Sequence, residues 1–480
     1  MVSSAGMVHN EGRPVVTEEF AAGGLSEGIS HGSASDRLPV VAIVGLPNVG
    51  KSTLFNRIVK SRLAVVDDQP GVTRDRNYAP AEWGGRGFWL VDTGGMTFED
   101  GLGMDPAIQE QVELAIEEAD LVVFVLDARV GATAEDEEAF RLLRRTGRRV
   151  LVAANKADDG EAAWDVASID VGGVGEIVPI SAMAGRGIGD FLDRVVAHLP
   201  PEEPSPEAIP GEVALAVVGR PNVGKSSLVN SLVGTRKMIV SEVAGTTRDA
   251  IDTIVERDGT RFRIIDTAGL RRRGRISRGV EYWSALRAMR ALERCDVAAV
   301  LFDATEGITD QDVKIVGEAI SRRKGIVLVM NKWDAVEKDH HVAERFAERV
   351  AWHFPFLEDA PLIHSSALTG RRVDRLLPEV ARLAALRARR IPTAEVNRVI
   401  ERLVAENPPP SGRSSRTTRI LYATQVGASP PQFVVFVNRP KNLEGHYHRF
   451  LENRLKKDLG FTGVPVEVVL RQRKSRERDR

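Results

Sequence analysis

The chain has 480 residues, 43% of them hydrophobic and 28% charged, with a net charge of −1. That balance fits a water-soluble globular protein of about three domains. A single cysteine, Cys295, excludes an internal disulfide framework and suits a buried position in a reducing compartment. No apolar run nears the ~20 residues that span a bilayer, and the start lacks the pattern of a secretory signal. A cytoplasmic protein with no membrane partner is therefore expected. The near-zero total hides a split. Residues 381–480 hold 21 Lys+Arg against 9 Asp+Glu, a net of +12, which leaves −13 for residues 1–380. Such asymmetry marks either a face for nucleic acid or a solvated basic tail.

Residues 1–37 are rich in Gly, Ser and Glu without an apolar period, so a disordered extension is expected. From Leu38 short β-rich runs begin: Val40–Val44, Phe88–Asp92, Leu121–Asp127, Arg149–Asn155 and Ile177–Ser181. They alternate with helical stretches such as Pro106–Glu118 and Glu135–Arg145. Strands that are apolar throughout and separated by helices predict an α/β fold, a doubly wound, mostly parallel sheet covered on both faces. This block, 38–199, closes at an acidic, Pro-rich and semi-rigid linker, 200–212. The same texture then returns over 213–390. Gly45 recurs as Gly219 and Asp92 as Asp266, both 174 positions on, and Asn155 recurs as Asn331, 176 on. The repeat unit is a whole domain, so this is a tandem duplication. Residues 391–470 match neither copy and read as α-β-β-α-β, a small α+β domain, before a mobile basic tail, 471–480.

Each copy carries a phosphate-loop pattern between an apolar strand and a helix. The first is Gly45, Leu46, Pro47, Asn48, Val49, Gly50, Lys51 and Ser52, followed by Thr53. The second is Gly219, Arg220, Pro221, Asn222, Val223, Gly224, Lys225 and Ser226, followed by Ser227. The glycines let backbone N–H groups turn toward phosphate oxygens. Lys51 and Lys225 reach the β/γ-phosphates, and Ser52 and Ser226 offer a hydroxyl to Mg²⁺. Asp92, Thr93, Gly94 and Gly95 form the next motif, as do Asp266, Thr267, Ala268 and Gly269. There the Asp can hold the metal through water and the Gly amide can sense the γ-phosphate. Thr73 and Thr247 lie between the two motifs, placed to cap the metal while a γ-phosphate is present. Lys51, Thr73, Lys225 and Thr247 are thus the expected catalytic residues.

The base is read from Asn155, Lys156, Ala157 and Asp158, and from Asn331, Lys332, Trp333 and Asp334. A carboxylate accepts from the ring N–H and exocyclic amine of guanine, whereas adenine offers no donor there. Ser181 and Ala182, like Ser366 and Ala367, are placed to offer backbone amides to the guanine oxygen. Two GTP/GDP sites are expected, and an ATPase is not.

Two GTPase domains in tandem followed by a small α+β domain resemble the Der (EngA) family of ribosome-assembly GTPases. The likeness covers about 38–470, including the C-terminal runs "YATQ", "PPQFVVFVN" and "YHRFLENRL". It implies GTP-dependent attachment to the large ribosomal subunit and its rRNA during maturation, and a KH-like third domain; a monomeric protein is expected. Where related small GTPases often carry a water-orienting Gln, this chain has Met96 and Leu270. Slow intrinsic hydrolysis follows, below about one per second, by positioning and charge rather than by a general base. In related GTPases the Asn of the phosphate loop helps bind K⁺, so Asn48 and Asn222 are candidate K⁺ ligands; the other reading is that they brace the loop.

Arg271, Arg272, Arg273, Arg275 and Arg278 follow the second switch, whereas the matching stretch of the first copy is acidic. An RNA-facing strip on the second switch and a docking role for the first are expected, with a solvated arginine run as the alternative. The KH label meets a difficulty: the one G-x-x-G, Gly460–Gly463, falls between the last helix and last strand and reads as a simple turn. RNA contact through this domain is therefore expected from Arg449, Arg454, Lys456 and Lys457, or from packing between domains. A GTP-dependent RNA-modification enzyme remains the rival. It would need a cofactor domain or a reactive C-terminal cysteine, and Cys295 lies inside the second GTPase block.

Overall fold

The computed structural model describes residues 38–60, 78–93, 119–158, 166, 169–201, 209, 211–234, 239–244, 251–267, 279–336, 341–354, 357, 359–410, 418–443 and 445–472. The expected N-terminal extension, the helix Pro106–Glu118, most of the linker, the arginine run after the second switch and the tail beyond 472 lie outside them.

The first block contains β1 (Val40–Val44), α1 (Lys51–Lys60), β2 (Tyr78–Trp83), β3 (Arg86–Asp92), β4 (Leu121–Asp127), α2 (Ala134–Thr146), β5 (Val150–Asn155), β6 (Glu176–Pro179) and α3 (Ile188–His198). Its sheet runs β2-β3-β1-β4-β5-β6. All neighbours are parallel except the β2–β3 pair. All of β1 and nearly all of β4 are buried, which is why both read as unbroken apolar runs. Thr133 and Asp136 form a capping box at the start of α2, and Gly147 ends the helix at φ 63°. The edge strand β2 escapes a sequence reading because "YAPAEW" is poor in β-branched residues and holds Pro80, which a sheet tolerates at its edge.

The second block repeats the plan with β7 (Glu212–Gly219), α4 (Lys225–Val233), β8 (Ile239–Ala244), β9 (Ile251–Arg257), β10 (Thr260–Ile264), α5 (Gly279–Arg294), β11 (Val297–Asp303), α6 (Asp310–Ser321), β12 (Gly325–Asn331), α7 (Val342–His353), β13 (Leu362–His364) and α8 (Leu376–Arg387). The order is β13-β12-β11-β7-β10-β9-β8. β7 begins at Glu212, which the sequence reading assigns to the linker. Its carboxylate pairs with Arg261 and Arg263 on β10, each at 2.9 Å. The third unit holds α9 (Thr393–Glu406), β14 (Ile420–Gly427), β15 (Gln432–Val437), α10 (His446–Asp458) and β16 (Glu467–Gln472). This is the expected α-β-β-α-β order, on a sheet β14-β15-β16. β16 takes in Arg471 and Gln472, the first two residues of the expected tail.

The third unit is welded to the second. Arg387, buried on α8, donates to Asp296 Oδ1 and Ser429 Oγ, each at 3.0 Å. Ile326 N donates to Gly463 O at 3.2 Å, and Asp359 accepts from Gly463 N at 3.1 Å and Lys456 Nζ at 2.6 Å. Gly460–Gly463 is therefore a turn, as read, and it is also a packing surface. A Cβ on Gly463 would come within 3.0 Å of Leu383 and 3.1 Å of Pro361. The first and second blocks meet where Trp89 Nε1 lies 3.4 Å from Glu293 Oε2 and Arg290 lies 4.0 Å from Asp120. Burial at that contact raises the Glu293 carboxyl above its usual range, against the pull of Arg322, Trp89, Arg290 and Lys324. Among the described residues no helix is long and apolar enough to cross a membrane.

Candidate functional site

In both sheets the central strand, β1 or β7, sits where the strand order reverses, so a crevice opens at its carboxyl end. The chain leaves each strand through the same backbone turns. Gly45 has φ 145° and Gly219 φ 150°, Asn48 and Asn222 both have φ 63°, and Gly50 and Gly224 have φ 99° and 95°. These left-handed values require glycine or favour Asn. Space requires glycine too: a Cβ on Gly50 would lie 2.3 Å from Asn155 Nδ2, and one on Gly224 2.3 Å from Asn331 Nδ2. Lys51 Nζ donates to Gly45 O (2.8 Å) and Leu46 O (2.7 Å); Lys225 Nζ donates to Gly219 O (2.7 Å) and Arg220 O (2.6 Å). An ammonium has three N–H groups, and two of them pin each lysine over its loop. Burial lowers both lysines, Lys51 against the nearby Asp92 charge and Lys225 to about 8 against Asp312.

Pro47, Asn48, Ser52 and Thr53 are exposed at the mouth of the first loop; Pro221, Ser226 and Ser227 are half-buried in the second, where Asn222 is exposed. Val49 and Val223 point their side chains into the core, so only their backbone faces the crevice. The carbonyls of these two valines accept from Asn155 Nδ2 and Asn331 Nδ2, both at 2.8 Å. The Asn Oδ1 atoms accept from Ala182 N and Ala367 N, both at 2.9 Å. A single buried amide thus ties the phosphate loop to the base loop in each copy. Replacing Asn331 by Ala leaves Val223 O and Ala367 N without this partner, at about 1–3 kcal/mol for each unpaired group. Urea unfolding of the variant should show that loss.

Asp158 and Asp334 are exposed at the far end of each crevice. Asp158 Oδ1 accepts from Ser181 Oγ at 2.6 Å, and the Asp158 carbonyl accepts from Arg186. Ala157 is buried, and Trp333 is buried against Phe346 and His364 with ring centroids 5.4 and 4.3 Å away. Both side chains belong to the core, which leaves their backbone to line the base loop. Ser366 Oγ accepts from Thr369 N at 3.1 Å, and Ser181 Oγ from Ala184 N at 3.1 Å, turns that shape the base loop.

On the metal side, Asp92 ends β3 and is buried. Asp266 lies just past β10 at φ 55°, its N–H donating to Asp252 Oδ1 at 3.0 Å. The hydroxyl of Thr93 donates to Ile43 O at 2.7 Å, and the hydroxyls of Thr267 and Thr253 share a hydrogen bond of 2.8 Å. Both threonines fasten the strand below the motif. Thr73, Thr247, Gly94, Gly95, Met96, Ala268, Gly269 and Leu270 lie outside the described residues.

Sequence reasoning misses Asp127 and Asp303. Each closes a central strand and takes the lysine of the base motif: Lys156 Nζ to Asp127 Oδ2 at 2.7 Å, Lys332 Nζ to Asp303 Oδ2 at 2.5 Å. Lys156 also donates to Asn48 O at 2.8 Å. Arg129 and then Lys156 hold Asp127 well below the carboxylate range; Asp303 is likewise lowered, the Lys332 and Thr305 bonds outweighing burial. The signal was present, since Asp127 recurs 176 positions on as Asp303, the spacing of the Asn155–Asn331 pair. The copies also differ. Arg220 bonds Asp312 at 3.1 Å and Glu306 at 2.7 Å, turning its side chain toward α6. The first copy has Leu46 there, and Asp136 Oδ1 is buried with no hydrogen-bond partner.

Two phosphate loops at two switch points, each tied to its own base-reading loop, define a tandem P-loop GTPase. A family model described as 50S ribosome-binding GTPase matches residues 40–156 and 214–332. One described as KH-domain-like of EngA bacterial GTPase enzymes, C-terminal, matches 390–471. GTPase Der of Desulforamulus reducens is 47% identical over 92% of this chain and 99% of its own length. GTPase Der of Geobacillus thermodenitrificans is 48% identical over 91% and 99%. A solved structure of Aquifex aeolicus Era bound to GDP·AlF₄⁻ is 22% identical at a TM-score of 0.29, covering 55% of this chain and 93% of that one. The chain belongs to the Der family of GTPases, and its activity is GTP binding and hydrolysis by two G domains.

Proposed function

We propose that each half holds one guanine nucleotide through the residues named above, and that the nucleotide state gates attachment to the large ribosomal subunit during its assembly. The observation that carries this reading is the agreement of the two loops, in their φ angles and in the bonds of their lysine and of the asparagine that ties each to its base loop, across copies 174 residues apart. Backbone N–H groups of 45–52 and 219–226 would cradle the phosphates, with Lys51 and Lys225 on the β/γ oxygens. Asp158 and Asp334 would accept from guanine. The description 50S ribosome-binding GTPase supports the choice of particle. The protein acts on it as a monomer in the cytoplasm. Sedimentation with ribosomal subunits, with and without a non-hydrolysable GTP analogue, tests the proposal. Equal recovery in both conditions would overturn the gating.

One hydroxyl (Ser52 or Ser226), one carboxylate (Asp92 or Asp266) and a switch threonine (Thr73 or Thr247) form a hard-oxygen donor set of the kind Mg²⁺ takes beside phosphate and water. Bound there, Mg²⁺ would neutralise charge developing between the β- and γ-phosphates. The chain's own part is to hold the phosphates still. With Met96 and Leu270 in place of a water-orienting Gln, intrinsic turnover stays slow, below about one per second. Asn48 and Asn222 are proposed to bring K⁺ to the transferred phosphate, although their φ of 63° already gives a backbone reason for Asn. Steady-state hydrolysis is then expected to be faster in KCl than in NaCl of equal ionic strength; equal rates would remove K⁺ from the account. The RNA-modification rival loses its nucleophile. Cys295 is buried, and burial pushes its thiol up to about 11.

A further inference from the structure

The C-terminal sheet has two unlike faces. Ala423, Phe433, Val435, Val437 and Val468 point toward α9 and α10 and join their buried residues Val396, Leu403, Leu451 and Leu455 in one core. Alternation sends Tyr422, Phe436 and Arg471 to the opposite face. Register aligns them: Tyr422 pairs with Phe436 across β14–β15, and Phe436 with Arg471 across β15–β16. The two rings stack, with centroids 4.4 Å apart and planes 15° from parallel. Neither ring belongs to a core cluster of the described residues. Tyr422 is 38% exposed, Phe436 half-buried and Arg471 exposed.

The surroundings select the ligand. Residues 418–443 contain Arg419, Arg439 and Lys441 and no Asp or Glu. The ends of β15 and β16 come together at this row, where Gln472 Nε2 donates to Asn438 O at 3.3 Å and Asn438 Oδ1 accepts from Arg419 N at 2.8 Å. The other end of the sheet is occupied: Glu467 pairs with Arg323 of the second GTPase block at 3.5 Å. The helix side is committed as well, since Arg454 pairs with Glu406 at 2.7 Å and Lys456 with Asp359 at 2.6 Å. Half of the basic residues that the sequence offers for RNA are thus consumed within the protein. Nor is the β14 edge open to another strand at Ala423, whose N–H and C=O are both taken by Asn397, at 2.8 and 2.9 Å.

We propose that this face binds single-stranded RNA, with bases stacking on Tyr422 and Phe436 and Arg471 placed on the adjoining base or phosphate. Every base has a π-face that stacks on an aromatic ring, so such a platform is tolerant of sequence, while nearby arginines supply a salt-dependent phosphate term. The RNA side is the helix-free face of the domain, away from Gly460–Gly463, which the second GTPase block covers.

This deepens the ribosomal reading, and it is tested on the full chain with a fluorescent single-stranded RNA 8-mer of mixed sequence, so that its failure is separable from failure of particle binding. Tyr422→Leu and Phe436→Leu are each expected to weaken binding about tenfold. Phe436→Tyr, which keeps the ring, should stay within about twofold of the parent. Arg471→Gln should lower the salt slope by about one. An unchanged melting temperature of the full chain confirms that the leucine variants fold, and the tyrosine variant keeps the test valid if they do not. Parent-like binding by both leucine variants would overturn the proposal. So would duplex RNA binding as tightly as the single strand, or a protein captured by this face in place of RNA.

Discussion

Asp158→Asn is expected to lower GTP affinity at the first site by at least about 100-fold, with Asp334→Asn doing the same at the second. On the proposed reading the wild-type carboxylate would accept two N–H donors of guanine; a carboxamide can accept only one and would turn its own N–H₂ against the other. Xanthine carries a carbonyl where guanine carries the amine, so each Asn variant should recover binding to XTP. Ser181 donates to Asp158 Oδ1 at 2.6 Å, a bond the Asn oxygen can keep, so the fold of the loop should survive. Calorimetry with GTP, ATP and XTP reads the result. Parent stoichiometry of two GTP per chain should fall to one in each single variant. Undiminished GTP binding, or ATP bound as tightly, would end the two-site account.

The second large effect belongs to Lys225. Lys225→Ala removes the buried ammonium proposed to meet the phosphates, and nucleotide affinity at that site is expected to drop by at least about 30-fold, or about 2 kcal/mol. Nucleotide-free stability should respond in the opposite sense. Burial lowers Lys225 from 10.5 to about 8 in the fold, so the unfolded chain holds the proton more tightly. Its contribution therefore opposes folding below pH 8 and relaxes as pH rises from 8 to 10.5, a rise in stability that the Ala variant should lack. Lys51→Ala should spare the second site, and the two variants should differ in their attachment to ribosomal subunits. Identical defects would make the copies redundant.

Much of the site was legible because its chemistry is local. A phosphate loop needs glycine at fixed φ, a lysine and a hydroxyl within eight residues, and the duplication supplied an internal control for each motif. Contacts between distant segments left a weaker trace. Asp127 and Asp303 look like ordinary strand-ending acids until Lys156 and Lys332 are seen on them. The burial of Ala157, Trp333, Val49 and Val223 depends on which way a strand or loop faces, and motif spacing does not specify that.

The amino-acid order alone determined the tandem architecture, the α-β-β-α-β third unit, the choice of guanine and the class of reaction, since each rests on short-range patterns of turn, charge and hydrophobic period. Tertiary structure decided what the basic residues of the third unit do. Lys456 and Arg454 are drawn into ion pairs by acids from 48 to 97 positions away, and Gly463 is buried against the second block. It also decided that Tyr422 and Phe436 stack on the face turned away from the helices, because strand register, a property of three paired segments, brings together rings that lie 14 residues apart in the chain.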